Sequence, residues 1–475
     1  MKMDEDLVHF AIQFLEKKGC SYVEARLEES EGHDFILKNG TIDLAGYGQV
    51  QGLGVRFLLK NKLNFVSTNE LQRSAIQQKL QTALHHAQKA QRYSEEVTLS
   101  MEEPYQDRYV VKAQVDPQKL DPETKIRFLK ELDQDLLATG VQMPSRYLHY
   151  TDSQTTEYLA TREGIRLTQT IPKVHFFYNY IIQVGKETSQ KFCEYGATQG
   201  WEGLLGWKLN QVLPEQANAL YKNVTEGKAA PKENLDVVVS PEMTGIMVHE
   251  SVGHPYEADR ILGREAAQAG ESFITPEMIG SRIGNDCVTV CDDPTLLGGY
   301  GHYKYDNEGV RARRKYLIKK GMIHEFLHNR ETSAAMNHGK SNGSSRATDY
   351  DKESIIRMSN TILLPGEYKD EEELFEGIKL GVWIKNYMEW NIDDKRLNAR
   401  YTGAEAYLIK NGKIAEPVRN PTLEITTPKL WSSVDAVAQN SAYYAGNCGK
   451  GEPMQGIPVW FGGPSMRLRN LKLRT

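Results

Sequence analysis

Two histidines and a glutamate stand within six residues in His249-Glu250-Ser251-Val252-Gly253-His254. A hydrolytic zinc centre needs such a set: imidazoles to hold the ion and a carboxylate to take a proton from water. In the common H-E-x-x-H arrangement the histidines are four apart, so one helical face carries both. Here they are five apart. An ideal α-helix turns about 100° per residue and would hold them about 140° apart, so the helix must loosen or break between them. Gly253 and Pro255 are placed to end it, the glycine by a left-handed turn and the proline because it cannot continue. Upstream, Leu235 to Val239 reads as a buried strand, Ser240 as an N-cap and Pro241 as the first helical residue. Ile246, Met247 and Val248 bring apolar residues against the motif, where unpaired charge is costly and a metal is a natural partner. The competing reading is a chance His-Glu pair on the surface.

Such a site needs a third protein ligand and an open position for water. Among twelve histidines and five cysteines, Cys448 is the best candidate. It lies in Gly446-Asn447-Cys448-Gly449-Lys450-Gly451, where glycines let backbone approach an ion and Lys450 would favour a thiolate. An ordinary buried thiol is the alternative there.

Taken together, four segments resemble the TldD branch of the TldD/PmbA metallopeptidases. They are His249 to Arg260 (HESVGHPYEADR); Asp292-Asp293-Pro294-Thr295 with the glycine-rich Gly298 to Gly301 and Asp306 to Gly309; Glu405 to Lys413; and Cys448-Gly449-Lys450. The match is strongest beyond about residue 230. The resemblance implies a zinc peptidase whose Zn2+ is held by His249, His254 and Cys448, with Glu250 as base. It also implies a dimer, commonly with a metal-less PmbA-like sibling. Two imidazoles and one thiolate would leave the ion a net positive charge, enough to acidify water for Glu250 to deprotonate. No oxyanion donor is legible; Tyr256, His302 and Tyr303 are within chain reach, although packing roles suit each better. The chain departs from the family pattern at Glu389-Trp390 and Trp460-Phe461, where small residues are usual. Trp390 and Trp460 are therefore expected to pack near one another and wall one side of a narrowed cleft.

A chain of 475 residues with 40% hydrophobic and 25% charged residues is ordinary globular composition, long enough for two or three domains. The net charge of −5 gives no reason to expect nucleic acid. An odd number of dispersed cysteines argues against a disulfide framework, and no run reaches membrane-spanning length. With an acidic opening, Met1 to Asp6, and no export signal, a cytoplasmic enzyme is expected. Cys287 and Cys291 are expected on one side of a strand over 287–291, buried in a core.

The expected fold class is α+β in three blocks. Residues 1–105 read as helix (Leu7, Phe10, Ala11, Phe14, Leu15), antiparallel strands with turns at Asn39-Gly40 and Lys60-Asn61, and helix (Ile76, Leu80, Leu84). After a linker bearing Pro104, Pro117 and Pro122, residues 106–229 give a middle α+β block, with a helix through Leu129 and Leu136, a strand over 174–184 and a helix over 209–221. Residues 230–475 form a strand-rich metal-binding block, with strands over 377–384 and 404–409 and a basic tail (Arg467, Arg469, Lys472, Arg474) expected to be an edge strand. The glycines at 298, 299 and 301 lack dinucleotide-fingerprint spacing. The functional expectation is a zinc metallopeptidase on extended or unfolded peptides, bound by strand addition at a sheet edge. The alternatives are a non-hydrolytic PmbA-like partner subunit and a zinc amidohydrolase.

Overall fold

A computed structural model describes residues 3–91, 93, 95–265 and 270–474; Met1 and Lys2 of the acidic opening lie outside the described residues. Asp4 accepts the Asp6 N–H (3.2 Å) and starts α1 (Glu5–Lys17), whose Leu7, Val8, Ala11, Ile12 and Leu15 are buried. Strands β1 (Tyr22–Lys38) and β2 (Thr41–Leu59) are joined by Asn39-Gly40, both at positive φ (50° and 82°). This is the two-residue turn whose twist suits antiparallel strands. Lys60-Asn61 repeats it (φ 50° and 59°) before β3 (Lys62–Thr68). Helix α2 (Arg73–Ala90) buries Ile76, Leu80, Leu84 and Ala87 in one core with α1 and with Val23, Ala25 and Leu27 of β1.

The linker prolines lead through β4 (Gln106–Val110) to α3 (Pro122–Ala138), capped by Asp121 with Pro122 at its first position. Then come β5 (Ser145–Thr161), β6 (Arg166–Val184), β7 (Glu187–Ala197), α4 (Trp201–Gly206) and α5 (Leu209–Glu226). The strands of both blocks share one seven-stranded sheet, ordered β3-β2-β1-β5-β6-β4 with β7 paired to β6. Side chains alternate along β1, so Glu24, Arg26 and Glu28 occupy the face opposite α1 and α2. That face meets the last block: Arg26 donates to the Asp349 carbonyl (2.7 Å) and Arg56 to Ser354 Oγ (3.1 Å).

In the last block β8 (Leu235–Val239) lies inside an eight-stranded sheet, parallel to Leu380–Ile392 and antiparallel to Met466–Leu471. Helix α6 (Pro241–Val248) leaves β8 and also packs on a six-stranded sheet that ends in the strands Gln455–Gly463 and Ala442–Lys450. Gly245 permits the approach, since a Cβ there would lie 2.8 Å from the Phe461 ring. The fold is α+β, as expected. Among the described residues no helix is long and apolar enough to cross a membrane.

Two local expectations are corrected. The strand near the cysteines spans only Val290–Asp292; Cys287 sits in a turn, half-buried, with its thiol toward the Val434 carbonyl (3.6 Å), while Cys291 is buried. The basic tail is not simply an edge. Met466–Leu471 is an interior strand, because Asp435 and Asp236 pair with Arg467 and Arg469 and remove the repulsion that would keep them at a border; Leu473–Arg474 alone is at the rim.

Candidate metal centre

Helix α6 begins where the sequence indicates, with Ser240 before Pro241, although the Ser240 hydroxyl accepts the Trp383 indole N–H (2.8 Å) instead of capping the helix. At its end the helix neither stops nor stays regular. Residues His249–Gly253 form one π-helical turn, closed by a bond from the His254 N–H to the His249 carbonyl. A turn closed over five residues sets residues five apart above one another, as an α-turn does for residues four apart. The two rings consequently meet, with centroids 4.8 Å apart and planes at 83°. Gly253 is right-handed (φ −54°), which corrects the expected left-handed stop. It is required for space: a Cβ there would lie 1.8 Å from Met358 Sδ, a buried side chain. Gly253→Ala is expected to lower unfolding stability by about 1–3 kcal/mol through overpacking. Urea denaturation measures this, and an unchanged midpoint would contradict it.

Cys448 comes from the edge strand Ala442–Lys450, 194 residues away, and its Sγ lies 3.4 Å from His254 Nε2. One ligand atom from each of His249, His254 and Cys448 lies within 4.8 Å of the others. Burial alone would push the Cys448 thiol up, yet His254 and His249 outweigh it and hold the thiol well below its usual range. Lys450 is not the cause: its ammonium binds Asp259 (2.7 Å), the Ile356 carbonyl (2.9 Å) and Glu257 (3.2 Å). The Nδ1 of His249 is buried without a hydrogen-bond partner. Two buried imidazoles and one thiol converging on one point are the donor set of a zinc site, so these residues suit that ion.

Behind His254 stands a support that the sequence did not disclose. His254 Nδ1 donates to Glu257 Oε2 (3.3 Å), which also accepts from Arg260 Nε (2.8 Å). Burial would raise the Glu257 carboxyl, but Lys450, the His254 bond and Arg260 hold it well below the usual carboxylate range. Such a carboxylate fixes the tautomer and aim of a ligating ring. Glu257→Gln is expected to weaken metal affinity by about 10–100-fold, read by competition with a chromophoric chelator; an unchanged affinity would limit Glu257 to packing.

Glu250 lines the same cleft, of about 270 Å³, with Phe192, Tyr387, Trp390, Arg396 and Phe461. Both its oxygens are engaged: Trp390 Nε1 donates to Oε1 (2.9 Å) and Arg396 Nη1 to Oε2 (2.5 Å). Arg396 follows the Leu380–Ile392 strand at the tip of its hairpin, at φ 62°, and no spacing rule exposes it in the sequence. Trp390 does form part of the wall, packed on Phe192 and Tyr387 (centroids 6.0 and 5.1 Å). Trp460 does not join it. Phe461 faces His249 (5.5 Å), so its neighbour points to the opposite face of the strand, where Trp460 stacks on Tyr443 (5.2 Å) and donates to the Gly196 carbonyl. Tyr256 is buried against Phe326, and His302 and Tyr303 line a different cavity. None of the three faces Glu250.

The fold and this cleft together place a candidate ion site in the last block. Family models for the PmbA/TldA metallopeptidase domain 1, central domain and C-terminal domain match residues 23–87, 115–225 and 232–475. The chain is 30% identical to a metalloprotease of Methanocaldococcus jannaschii, over 94% of this chain and 95% of that one. It is 24% identical to a zinc metalloprotease TldD homolog of Saccharolobus solfataricus, covering 97% and 98%. The solved structure of TldE from Thermococcus kodakarensis superposes with a TM-score of 0.77, 14% identity and 99% of each chain covered, which shows the shared fold. The chain belongs to the PmbA/TldD metallopeptidase family.

Proposed function

We propose that this chain is a zinc-dependent peptidase in which His249, His254 and Cys448 hold the ion and Glu250 is the general base. The observation that carries this reading is the convergence of the three ligand atoms within 4.8 Å in the cleft that Glu250 also lines. When bound, zinc supplies a Lewis acid that acidifies water and polarises a peptide carbonyl. Glu250 then accepts the proton of the attacking water and returns it to the leaving amine. Trp390 and Arg396 fix where that carboxylate points, and the aromatic wall limits water around it.

Extended or unfolded peptides are the proposed substrates. The Ala442–Lys450 strand is the last in its sheet, and its residues Ala445 to Gly449 line the cleft in an unbroken run with small side chains at 445, 446 and 449. A peptide laid beside it would gain main-chain hydrogen bonds without demanding particular side chains. A dimer, with itself or with a metal-less PmbA-like sibling, and a reducing cytoplasm suited to five free cysteines, complete the proposal. The test compares one protein substrate in native and in unfolded, carboxymethylated form, with light scattering to size the enzyme. The proposal expects cleavage of the unfolded form alone, loss on chelation and recovery with zinc, from a dimer. Chelator-resistant cleavage would remove the metal role, equal cleavage of both forms the substrate preference, and an active monomer the dimer.

A further inference from the structure

A second cavity, of about 120 Å³, lies where the polar face of the seven-stranded sheet meets residues 302–307 and 346–348 of the last block. It shares no lining residue with the metal cleft. Most of its charged and polar side chains are tied to protein. Glu157 accepts from Asn307 Nδ2 (2.8 Å) and faces Arg26 (3.3 Å), Gln169 both donates to and accepts from the Tyr305 backbone (3.0 Å each), and Arg346 donates to the carbonyls of Met358 and Pro458 (2.6 and 2.9 Å).

Glu28 and Lys173 break that pattern. Both line the cavity, yet among the described residues neither forms an ion pair or a side-chain hydrogen bond, with each other or with a third group. Glu28 is only 5% exposed. A buried carboxylate without a partner is unfavourable, and so is an ammonium without one. Burial pushes the Glu28 carboxyl up to about 8, and burial with Arg346 nearby brings the Lys173 ammonium down to about 7. Arg26 and Lys173 attract the Glu28 carboxylate and Glu28 attracts the Lys173 ammonium, but burial outweighs these attractions.

We propose that this cavity binds a small zwitterion, a free α-amino acid, with its ammonium on Glu28 and its carboxylate on Lys173. A simple anion or cation would favour the charged form of only one of the two groups, and a neutral molecule the charged form of neither. A small amino acid carries both charges on one carbon, so a single molecule answers both groups. Ile171 supplies apolar lining for the carbon skeleton. The site belongs to the contact between the shared sheet and the last block, and it does not depend on the peptidase reading.

Calorimetric titration of the full-length protein tests this with glycine, L-alanine and L-serine as probes, and with N-acetylalanine and alaninamide as blocked controls. Saturable binding of at least one free amino acid at one site per chain is expected, about tenfold or more weaker for either blocked form, as loss of one partner of a buried charge pair entails. Glu28→Gln and Lys173→Met should each weaken binding by a similar factor at unchanged zinc content. Absence of saturable binding by all three amino acids to the wild-type protein would overturn the proposal whatever the variants do. Undiminished binding in either folded variant, which would locate the ligand elsewhere, or equal binding of the blocked forms would overturn it too.

Discussion

Glu250→Gln is expected to keep a full complement of zinc and to lose peptidase turnover by about 10²–10⁴-fold, the range that a positioned general base supplies. The amide has nearly the volume of the carboxylate, so the cleft walls stay in place. It cannot take a proton from water, and its single acceptor oxygen can serve only one of the two donors, Trp390 Nε1 and Arg396 Nη1, that share Glu250. Metal analysis beside steady-state kinetics on an unfolded substrate separates base from ligand. A variant that cleaves within a few-fold of the wild type would show that Glu250 serves only to hold Arg396 and Trp390.

The second large effect is on the ion itself. Cys448→Ser is expected to weaken zinc binding by about 100-fold or more, because a neutral hydroxyl is a far poorer zinc ligand than a thiolate. The wild-type X-ray absorption spectrum should contain one sulfur neighbour at about 2.3 Å, and the variant none. Full occupancy of the variant with unaltered coordination would take Cys448 out of the site and leave the two histidines needing another third partner.

Local elements were the most legible part of the sequence. Asn39-Gly40 and Lys60-Asn61 take positive φ because their residue types tolerate it, and α1 and α2 follow their apolar periodicity, so these depend on near neighbours. The need for a loosened helix at His249–His254 was also legible, because five-residue spacing contradicts α-helical geometry; that the helix runs on through a π-turn instead of stopping at Gly253 was not. Cys448 could be singled out by its glycine setting and by family resemblance. Glu257 lay inside the motif, three residues beyond His254, and that spacing was the available signal for its support of the ring. Arg396 had none, because the register of the hairpin after residue 392 decides that its side chain reaches Glu250. Trp460 and Lys450 were misjudged for one reason: strand alternation and competing carboxylates, both set by tertiary pairing, turned each away from the cleft.

The long separation between the ligands bears on synthesis of the chain. Residues 249 to 254 leave the ribosome almost two hundred residues before Cys448, and domains generally form as units while translation proceeds. The two histidines and Glu250 are made first, but α6 packs on the sheet that carries Cys448 and β8 lies beside Met466–Leu471, so their site takes shape only once these last strands are in place. On the proposed ligand set, a nascent chain is harmless to itself and to its neighbours until its last strands pair, and any product truncated before residue 448 is inert by construction. If the proposed ligand set and activity hold, the order of the residues along the chain would delay proteolytic competence until folding is nearly finished.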